Sequence, residues 1–333
     1  MNHTLPRTMR AWRQERYGGP DVMRLDTVDV PTPRRGEVLV RVRAASLNSG
    51  DVRVMRGEPL VVRAAFGVRR PRQQVRGMDA AATVVALGEG VDDLAVGDEV
   101  FGELPGGALA EYAIAPARRV IRRPDALAPE VAAALPVAGG TALQAVDRAG
   151  VAPGARVLVI GASGGVGTST VQLCAHRGAD VWALCGERNR ALVESLGASK
   201  TFNYRAVQPG APELGEASFD AVFDIAGTAP LTALRRLVRD GGRVVLVAGE
   251  GNRVFGPLGR LAAASLISLG SRRKLVPLAA APSRELLTRL ADLALEGALA
   301  PVIEREWTLG EAGAAIAHVD AGHTAGKVLV RRE

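Results

Sequence analysis

A chain of 333 residues is longer than one ordinary hydrophobic core supports and suits two domains of roughly 150 residues each. Its 47% hydrophobic and 23% charged residues are typical of a globular protein and exclude the disordered and collagen-like classes. The formal net charge of +7 comes almost entirely from arginine, since the chain has only three lysines, and no recognition helix or stacking platform for a nucleic acid is legible.

The first part of the chain is predicted to be a barrel-like arrangement of short strands. Glycine and proline separate the apolar runs that predict these strands, at 38–42, 81–87, 99–101 and 112–114. The densest arginine cluster lies between the first two runs and consists of Arg63, Arg69, Arg70, Arg72 and Arg76. This cluster is either a solvated face, the usual meaning of a charge run, or a patch for an anionic ligand.

From residue 129 onward the pattern changes to helices that alternate with apolar strands. Helices are predicted at 129–149, 166–177 and 188–196, and strands at 156–160, 180–185, 219–224 and 243–248. Because these strands are apolar throughout, they suit burial on both faces and predict a parallel sheet with crossover helices. The last predicted elements are a serine-capped helix at 283–296, a helix at 308–319 and a strand at 326–330.

A glycine-rich loop after strand 156–160 predicts a dinucleotide site. The loop reads Gly161, Ala162, Ser163, Gly164, Gly165, Val166 and Gly167 and runs into the next helix. This spacing sets bare backbone amides at a helix N-terminus, where the dipole and the unpaired N–H groups favour a pyrophosphate. The strand before the loop, the helix after it and the second strand make the motif far more specific than a lone glycine pattern.

The residues after strand 180–185 bear on the choice between the two nicotinamide dinucleotides. Glu187 lies about twenty residues past the glycines, where an acid that holds the ribose 2′-OH of NAD is expected. Arg188 and Arg190 are close to it, and a forked guanidinium suits the 2′-phosphate of NADP. NADP is therefore the predicted cofactor, with NAD as the alternative.

Cysteine content and hydropathy indicate a cytoplasmic protein. Cys174 and Cys185 are too few for a disulfide framework or a four-thiolate zinc site, which fits a reducing compartment. Residues 1–16 lack an apolar signal core, and the apolar stretch 258–269 is too short to span a bilayer. Neither a membrane nor a nucleic acid is expected as a partner.

Several short motifs follow one another along the chain. They are ASLNSGD at 45–51, VGDEVFG at 96–102, GALAEY at 107–112, PVAGGTA at 136–142, the glycine loop, and GKV at 326–328. As a set they resemble the medium-chain dehydrogenase/reductase superfamily, in its zinc-independent quinone oxidoreductase-like branch.

The resemblance implies an α/β fold in which a GroES-like β-barrel catalytic domain accompanies a Rossmann domain with a doubly wound parallel sheet. The catalytic domain would comprise residues 1–127 and 283–333, and the Rossmann domain residues 128–282, with the active site in the cleft. A small-molecule substrate and a homodimer are also implied.

The resemblance further assigns roles to single residues. Asn48 and Asp51 match residues near the nicotinamide ribose and the substrate. Arg53 stands where many quinone reductases have a tyrosine, so the resemblance does not identify the group that donates the proton. These three are the predicted catalytic residues. The predicted cofactor contacts are Thr141 at the nicotinamide, the loop from Gly161 through Ser163 to Gly167 at the pyrophosphate, Glu187, Arg188, Arg190 and Tyr204 at the adenosine end, and Ala248, Gly249 and Lys327 in loops that close over the nicotinamide.

The chain departs from the zinc-dependent relatives of this superfamily. Those relatives carry a cysteine near the position of Asn48, a four-cysteine lobe, and a Gly-His-Glu motif where this chain has Gly77, Met78 and Asp79. None of these zinc ligands is in the sequence, so no catalytic zinc is expected.

The predicted function is NADPH-dependent reduction of an activated double bond or carbonyl, in a quinone, enone or enal, by direct hydride transfer. Two alternatives stay open. Glu187 favours NAD-dependent alcohol dehydrogenation, whereas Arg53 and Ala82, which depart from the family pattern, favour a non-catalytic cofactor-binding or sensor protein on the same fold.

Overall fold

The computed structural model describes residues 5–247 and 253–332, which form a mixed α/β fold. In chain order the strands are β1 (Thr8–Arg13), β2 (Arg24–Asp29), β3 (Glu37–Leu47), β4 (Asp79–Leu87), β5 (Glu99–Glu103), β6 (Tyr112–Pro116), β7 (Val120–Arg122), β8 (Arg156–Ile160), β9 (Asp180–Cys185), β10 (Lys200–Asn203), β11 (Phe219–Asp224), β12 (Val238–Leu246), β13 (Lys274–Pro277), β14 (Ile303–Thr308) and β15 (Lys327–Arg331). The helices are α1 (Ser49–Arg56), α2 (Val62–Phe66), α3 (Pro129–Ala134), α4 (Pro136–Ala149), α5 (Gly165–His176), α6 (Arg190–Ser195), α7 (Leu231–Leu237), α8 (Leu258–Ile267), α9 (Arg284–Leu295) and α10 (Ala312–Asp320).

Contacts divide the chain into two compact units. Unit 1 comprises residues 1–137, 282–295 and 303–333, and unit 2 comprises residues 138–281 and 296–302. Each unit has its own buried hydrophobic cluster. That the folding domains are 1–127 with 283–333, and 128–282, stays a prediction.

Unit 1 is built around the long central strand β3. Its main sheet has the order β14-β15-β3-β4-β5-β7, with β6 paired to β3, and is antiparallel except between β14 and β15. On one side of β3, Leu47 lies opposite Val328 of β15. On the other side, Ser46 lies opposite Asp79 of β4. This register gathers the residues at the end of β3 and at the starts of β4 and β15 in one place.

Unit 2 contains a six-stranded parallel sheet in the order β10-β9-β8-β11-β12-β13. Counted from β8, this is the doubly wound strand order of a Rossmann fold. The parallel sheet predicted from the apolar runs is therefore confirmed. In such a sheet, ligands bind at the carboxyl ends of the strands where the order reverses, which here is the edge formed by the ends of β8 and β11.

One predicted helix is divided for a local reason, and the apolar stretch near residue 260 is helical. The helix predicted at 129–149 is divided into α3 and α4, because Pro136 lacks the N–H group that would continue α3. The apolar stretch 258–269 forms α8, which ends at Ile267. Within residues 5–247 and 253–332, no helix has the length and apolar character needed to cross a bilayer.

Candidate functional site

The start of α1 is the polar centre of unit 1. Asn48 leaves β3 in an extended conformation and caps α1, and Asp51 completes a capping box three residues later. The backbone N–H groups of Asn48 and Gly77 each donate a hydrogen bond of 2.9 Å to a different oxygen of the Asp51 carboxylate. Burial raises the pKa of Asp51, and these two amides act in the opposite direction. Asp51 therefore has a structural role, because its carboxylate caps the start of α1.

A buried lysine and a buried aspartate hold the Asn48 side chain from both sides. The Lys327 ammonium donates to Asn48 Oδ1 and, at 3.1 Å, to the carbonyl of Leu47. Asn48 Nδ2 donates to Asp79 Oδ2 at 3.0 Å. Oδ1 and one amide hydrogen of Asn48 are thus engaged, and no hydrogen bond of its second amide hydrogen is found among the described residues.

Lys327 and Asp79 form a buried ion pair. Their charged atoms are 3.5 Å apart, and their side chains are 4% and 0% exposed. Burial raises the pKa of Asp79 to about 7, although the Lys327 charge and the Asn48 amide oppose this rise. Burial likewise lowers the pKa of Lys327, against the attraction of Asp79 and Asp51. The pair therefore contains a carboxyl that titrates near neutral pH beside a predicted catalytic residue.

The structure brings together only some of the predicted catalytic residues. Asn48 and Asp51 lie in the buried network, whereas Arg53 is on the exposed side of α1. Lys327 was predicted as a cofactor contact but makes its hydrogen bonds inside unit 1, and Asp79 was not predicted as a site residue. The sequence contains one signal for Asp79 and Lys327. Each begins an apolar strand, where an isolated charge needs a partner of opposite charge.

In unit 2, β8 leads directly into the predicted glycine loop. Gly161 has φ +86°, in the left-handed region that favours glycine, and the N–H groups of Gly161 and Ala162 both donate to the Leu184 carbonyl at 3.1 Å. A Cβ on Gly167 would lie 2.1 Å from the Gly161 carbonyl oxygen, so only glycine lets α5 pack this close to the loop.

The amino end of α5 has room for an anion. Gly164 caps the helix, and a Cβ built on it would meet no heavy atom closer than 3.9 Å. Ser163, Gly165 and Val166 are half-buried beside it. Room beside the first amides of a twelve-residue helix is what a pyrophosphate requires, so these residues fit the predicted cofactor.

The end of β9 brings together the residues predicted at the adenosine end of the cofactor. Tyr204 follows β10 with its ring next to Gly186, where a Cβ would lie 3.7 Å from Tyr204 Cε1. The Arg190 guanidinium binds Glu187 at 3.2 Å and the Thr201 hydroxyl at 3.0 Å. Arg188 is the more exposed of the two arginines.

The other predicted residues are more scattered. Thr141 is half-buried in α4 of unit 2, and Ala248 and Gly249 lie outside the described residues. Across residues 5–247 and 253–332, no group of three or more His, Cys, Asp or Glu side chains is assembled for a metal ion. Cys174 and Cys185 are both buried, and burial raises the pKa of their thiols to about 12 and about 11. The residues described do not fit a zinc site.

Comparisons with known proteins agree with this architecture. Residues 34–125 match the family model for an alcohol dehydrogenase GroES-like domain, and residues 196–330 match that for a zinc-binding dehydrogenase. The GroES-like and Rossmann fold predicted from the sequence is thereby confirmed.

Similar proteins cover the chain almost end to end. The chain is 34% identical to the chloroplast envelope quinone oxidoreductase homolog of Arabidopsis thaliana, over 97% of this chain and 98% of that one. It is 28% identical to the chloroplastic NADPH-dependent alkenal/one oxidoreductase of Arabidopsis thaliana, over 98% of this chain and 80% of that one. The structure of the quinone oxidoreductase from Coxiella burnetii matches with a TM-score of 0.86 at 28% identity, over 97% of this chain and 99% of that one.

Proposed function

The chain belongs to the medium-chain dehydrogenase/reductase superfamily, in its quinone oxidoreductase-like branch, and from that premise we propose that it reduces activated double bonds with NADPH. The substrates would be quinones, enones or enals. The observation that carries the proposal is the loop 161–167, whose glycines fit a dinucleotide, in a chain that is similar over its length to quinone and alkenal/one oxidoreductases.

Each unit of the chain would contribute groups with a distinct task. A bound nicotinamide would supply the hydride. The backbone amides of the loop before α5 would hold the pyrophosphate, and Arg188 would contact the 2′-phosphate. Asn48 donates its remaining amide N–H to the substrate oxygen on which negative charge develops. Lys327 and Asp79 fix the orientation of that amide, because one binds its oxygen and the other its nitrogen.

We propose that turnover needs no zinc. The donor set supports this: Met78, a poor ligand for zinc, precedes Asp79 at the centre of unit 1, and both cysteines are buried in unit 2 with raised pKa values. The stabilisation of the developing oxyanion then falls to hydrogen-bond donors of the protein and to water.

We propose a preference for NADP over NAD. Glu187 is paired with Arg190, which compensates its charge, and the exposed Arg188 follows Glu187 in the chain, so a second guanidinium lies at this end of the site. NAD-dependent alcohol dehydrogenation stays the second candidate, because Glu187 is 63% exposed at the end of β9 and lies where a ribose hydroxyl would be bound.

The first experiment is a calorimetric titration of chelator-treated protein with NADPH and with NADH. We expect NADPH to bind at least about tenfold more tightly, which is about 1.4 kcal/mol. NADPH oxidation is then followed with a quinone, with an enone and with the saturated ketone as control. Turnover of the first two, unaffected by chelation, supports the proposal. A preference for NADH supports the dehydrogenase, and tight binding without turnover of any acceptor supports a sensor.

We further propose a cytoplasmic homodimer. Two free cysteines suit a reducing compartment, and the exposed apolar side chains Leu258, Leu266 and Leu269 in and after α8 suit a subunit contact. Light scattering during size-exclusion chromatography measures the oligomeric state, and cell fractionation tests the location. A monomer would contradict the proposed dimer, and recovery of the protein in an organelle fraction would contradict the cytoplasmic location.

A further inference from the structure

Arg76 is a buried cation, and two of its nitrogens find no acceptor among the residues that the structure describes. It directly precedes Gly77, whose N–H binds Asp51 at the polar centre of unit 1. Arg76 is 3% exposed, and its Nε and Nη2 atoms are shielded from solvent without a hydrogen-bond partner among the described residues. Because a guanidinium stays charged, burying it without acceptors is strongly unfavourable, and such a group calls for an anion that the protein does not itself provide.

The surroundings of Arg76 carry an excess of positive charge. The Arg63 guanidinium lies 4.6 Å from the centre of the Tyr17 ring, and the Tyr17 hydroxyl donates to the Gly67 carbonyl at 2.5 Å, so the ring is held firmly. Burial raises the pKa of the Tyr17 phenol, and the positive charges of Arg63, Arg76 and Arg72 oppose that rise.

Asp51 does not neutralise this charge fully. It is the carboxylate whose charge acts most strongly on Arg76, yet both of its oxygens accept hydrogen bonds from backbone amides and neither binds the guanidinium. The Asp51 carboxylate is thus already engaged by two backbone amides, and the Lys327 charge acts on it as well. In the same sequence cluster, Arg69, Arg70 and Arg72 are exposed, as a solvated face would be, whereas Arg76 is buried.

We propose that Arg76 binds an anionic group of the substrate. The preferred substrates are then activated double-bond compounds that carry a carboxylate or a phosphate. This inference rests on the proposed reductase function and adds a substrate class to it. A planar guanidinium binds two oxygens of either anion at once, so the geometry of the group suits both.

The test compares an enone that has a carboxylate at the end of a short alkyl tail with its methyl ester and with the matching phosphate. The two saturated keto compounds, acid and ester, serve as binding probes for calorimetry on the full chain, which needs no turnover. We expect the acid to bind roughly 10- to 100-fold more tightly than the ester, the range of a charge-assisted hydrogen bond. The acid and the phosphate are ranked by kcat/KM.

Arg76→Leu should abolish the preference for the acid while the ester binds as before. Arg118→Leu, which removes an exposed arginine of unit 1, should leave the preference intact. If Arg76→Leu fails to fold, Arg76→Gln is measured instead. Equal binding of acid and ester by the wild-type chain, or a preference that survives in the Arg76 variant, overturns the proposal.

The same data separate this inference from the proposed function. Reduction of the ester as fast as the acid overturns the anion site and leaves the reductase standing. Preferential binding of the keto acid through Arg76, without NADPH oxidation on either enone, overturns the reductase and leaves the anion site.

Discussion

Replacing Lys327 with methionine removes the positive charge from the polar centre of unit 1 at nearly constant volume. The carbonyl of Leu47 and Asn48 Oδ1 lose their donor, and the fully buried Asp79 carboxylate loses a counter-ion 3.5 Å away. Because breaking a buried pair leaves an uncompensated charge, we expect the free energy of unfolding to fall by about 3–5 kcal/mol where Asp79 is ionised.

The effect of Lys327→Met on the free energy of unfolding is expected to depend on pH. The pKa of Asp79 rises from 3.8 to about 7 on folding, so the folded state holds this proton more tightly than the unfolded chain. The resulting stabilisation is complete below pH 3.8 and is lost as the pH rises to about 7. Without Lys327 the pKa rises further, so the variant continues to lose stability above that pH, by up to about 1.36 kcal/mol per unit.

Urea unfolding of the wild type and the variant between about pH 5 and pH 8 measures the effect, because ordinary carboxylates are already ionised there in both states and the histidine contribution cancels in the difference between the two chains. In a Trp182→Phe background the remaining tryptophans, Trp12 and Trp307, both lie in unit 1, so their fluorescence reports on that unit. Arg118→Met, which removes an exposed positive charge from the same unit, is the control.

The double variant Lys327→Met/Asp79→Asn closes a thermodynamic cycle. Because it removes both charges, we expect it to recover much of the stability that Lys327→Met loses. A loss below about 1 kcal/mol in Lys327→Met at every pH, or strictly additive single effects, would show that the ion pair does not hold this centre together.

Three further predictions concern unit 2. Gly167→Ala should abolish NADPH binding and lower Tm, because its Cβ would lie 2.1 Å from a carbonyl oxygen. Gly164→Ala, whose Cβ has 3.9 Å of clearance, should weaken NADPH binding and leave Tm unchanged. Titration with NADPH and thermal melts distinguish the two variants. Arg188→Gln should weaken NADPH binding about tenfold in calorimetry and spare NADH, and an equal loss for both would refute its phosphate role. Cys174 and Cys185, with pKa values raised to about 12 and about 11, should react with a thiol reagent only in denaturant, as followed by absorbance.

The sequence predicts the sheet of unit 2 well because its signals are local. The strands β8, β9 and β11 begin and end where the apolar runs do, since a strand buried on both faces needs an unbroken run. The edge strands β10 and β13 were not predicted, because each has only four residues and includes exposed or half-buried positions.

Unit 1 is harder to predict from local patterns. The strands β1 and β2 form a small separate sheet with mostly exposed or half-buried residues, so no apolar run marks them. Helix α1 begins with Ser49, Gly50 and Asp51, which are turn formers on their own and become helical through the capping box. Asn48 and Asp51 entered the predicted site through the family resemblance, and the structure adds the partners that hold them.

No local sequence pattern predicts the pairing of Asp79 with Lys327. The two residues are 248 positions apart, and only the register of β15, β3 and β4 brings them together. What the sequence does contain is the need for a pair, because a charge at the head of an apolar strand must be compensated once the strand is buried. The same reasoning applied to Arg76 finds a buried charge with unsatisfied nitrogens, which is why we look for its partner in the substrate.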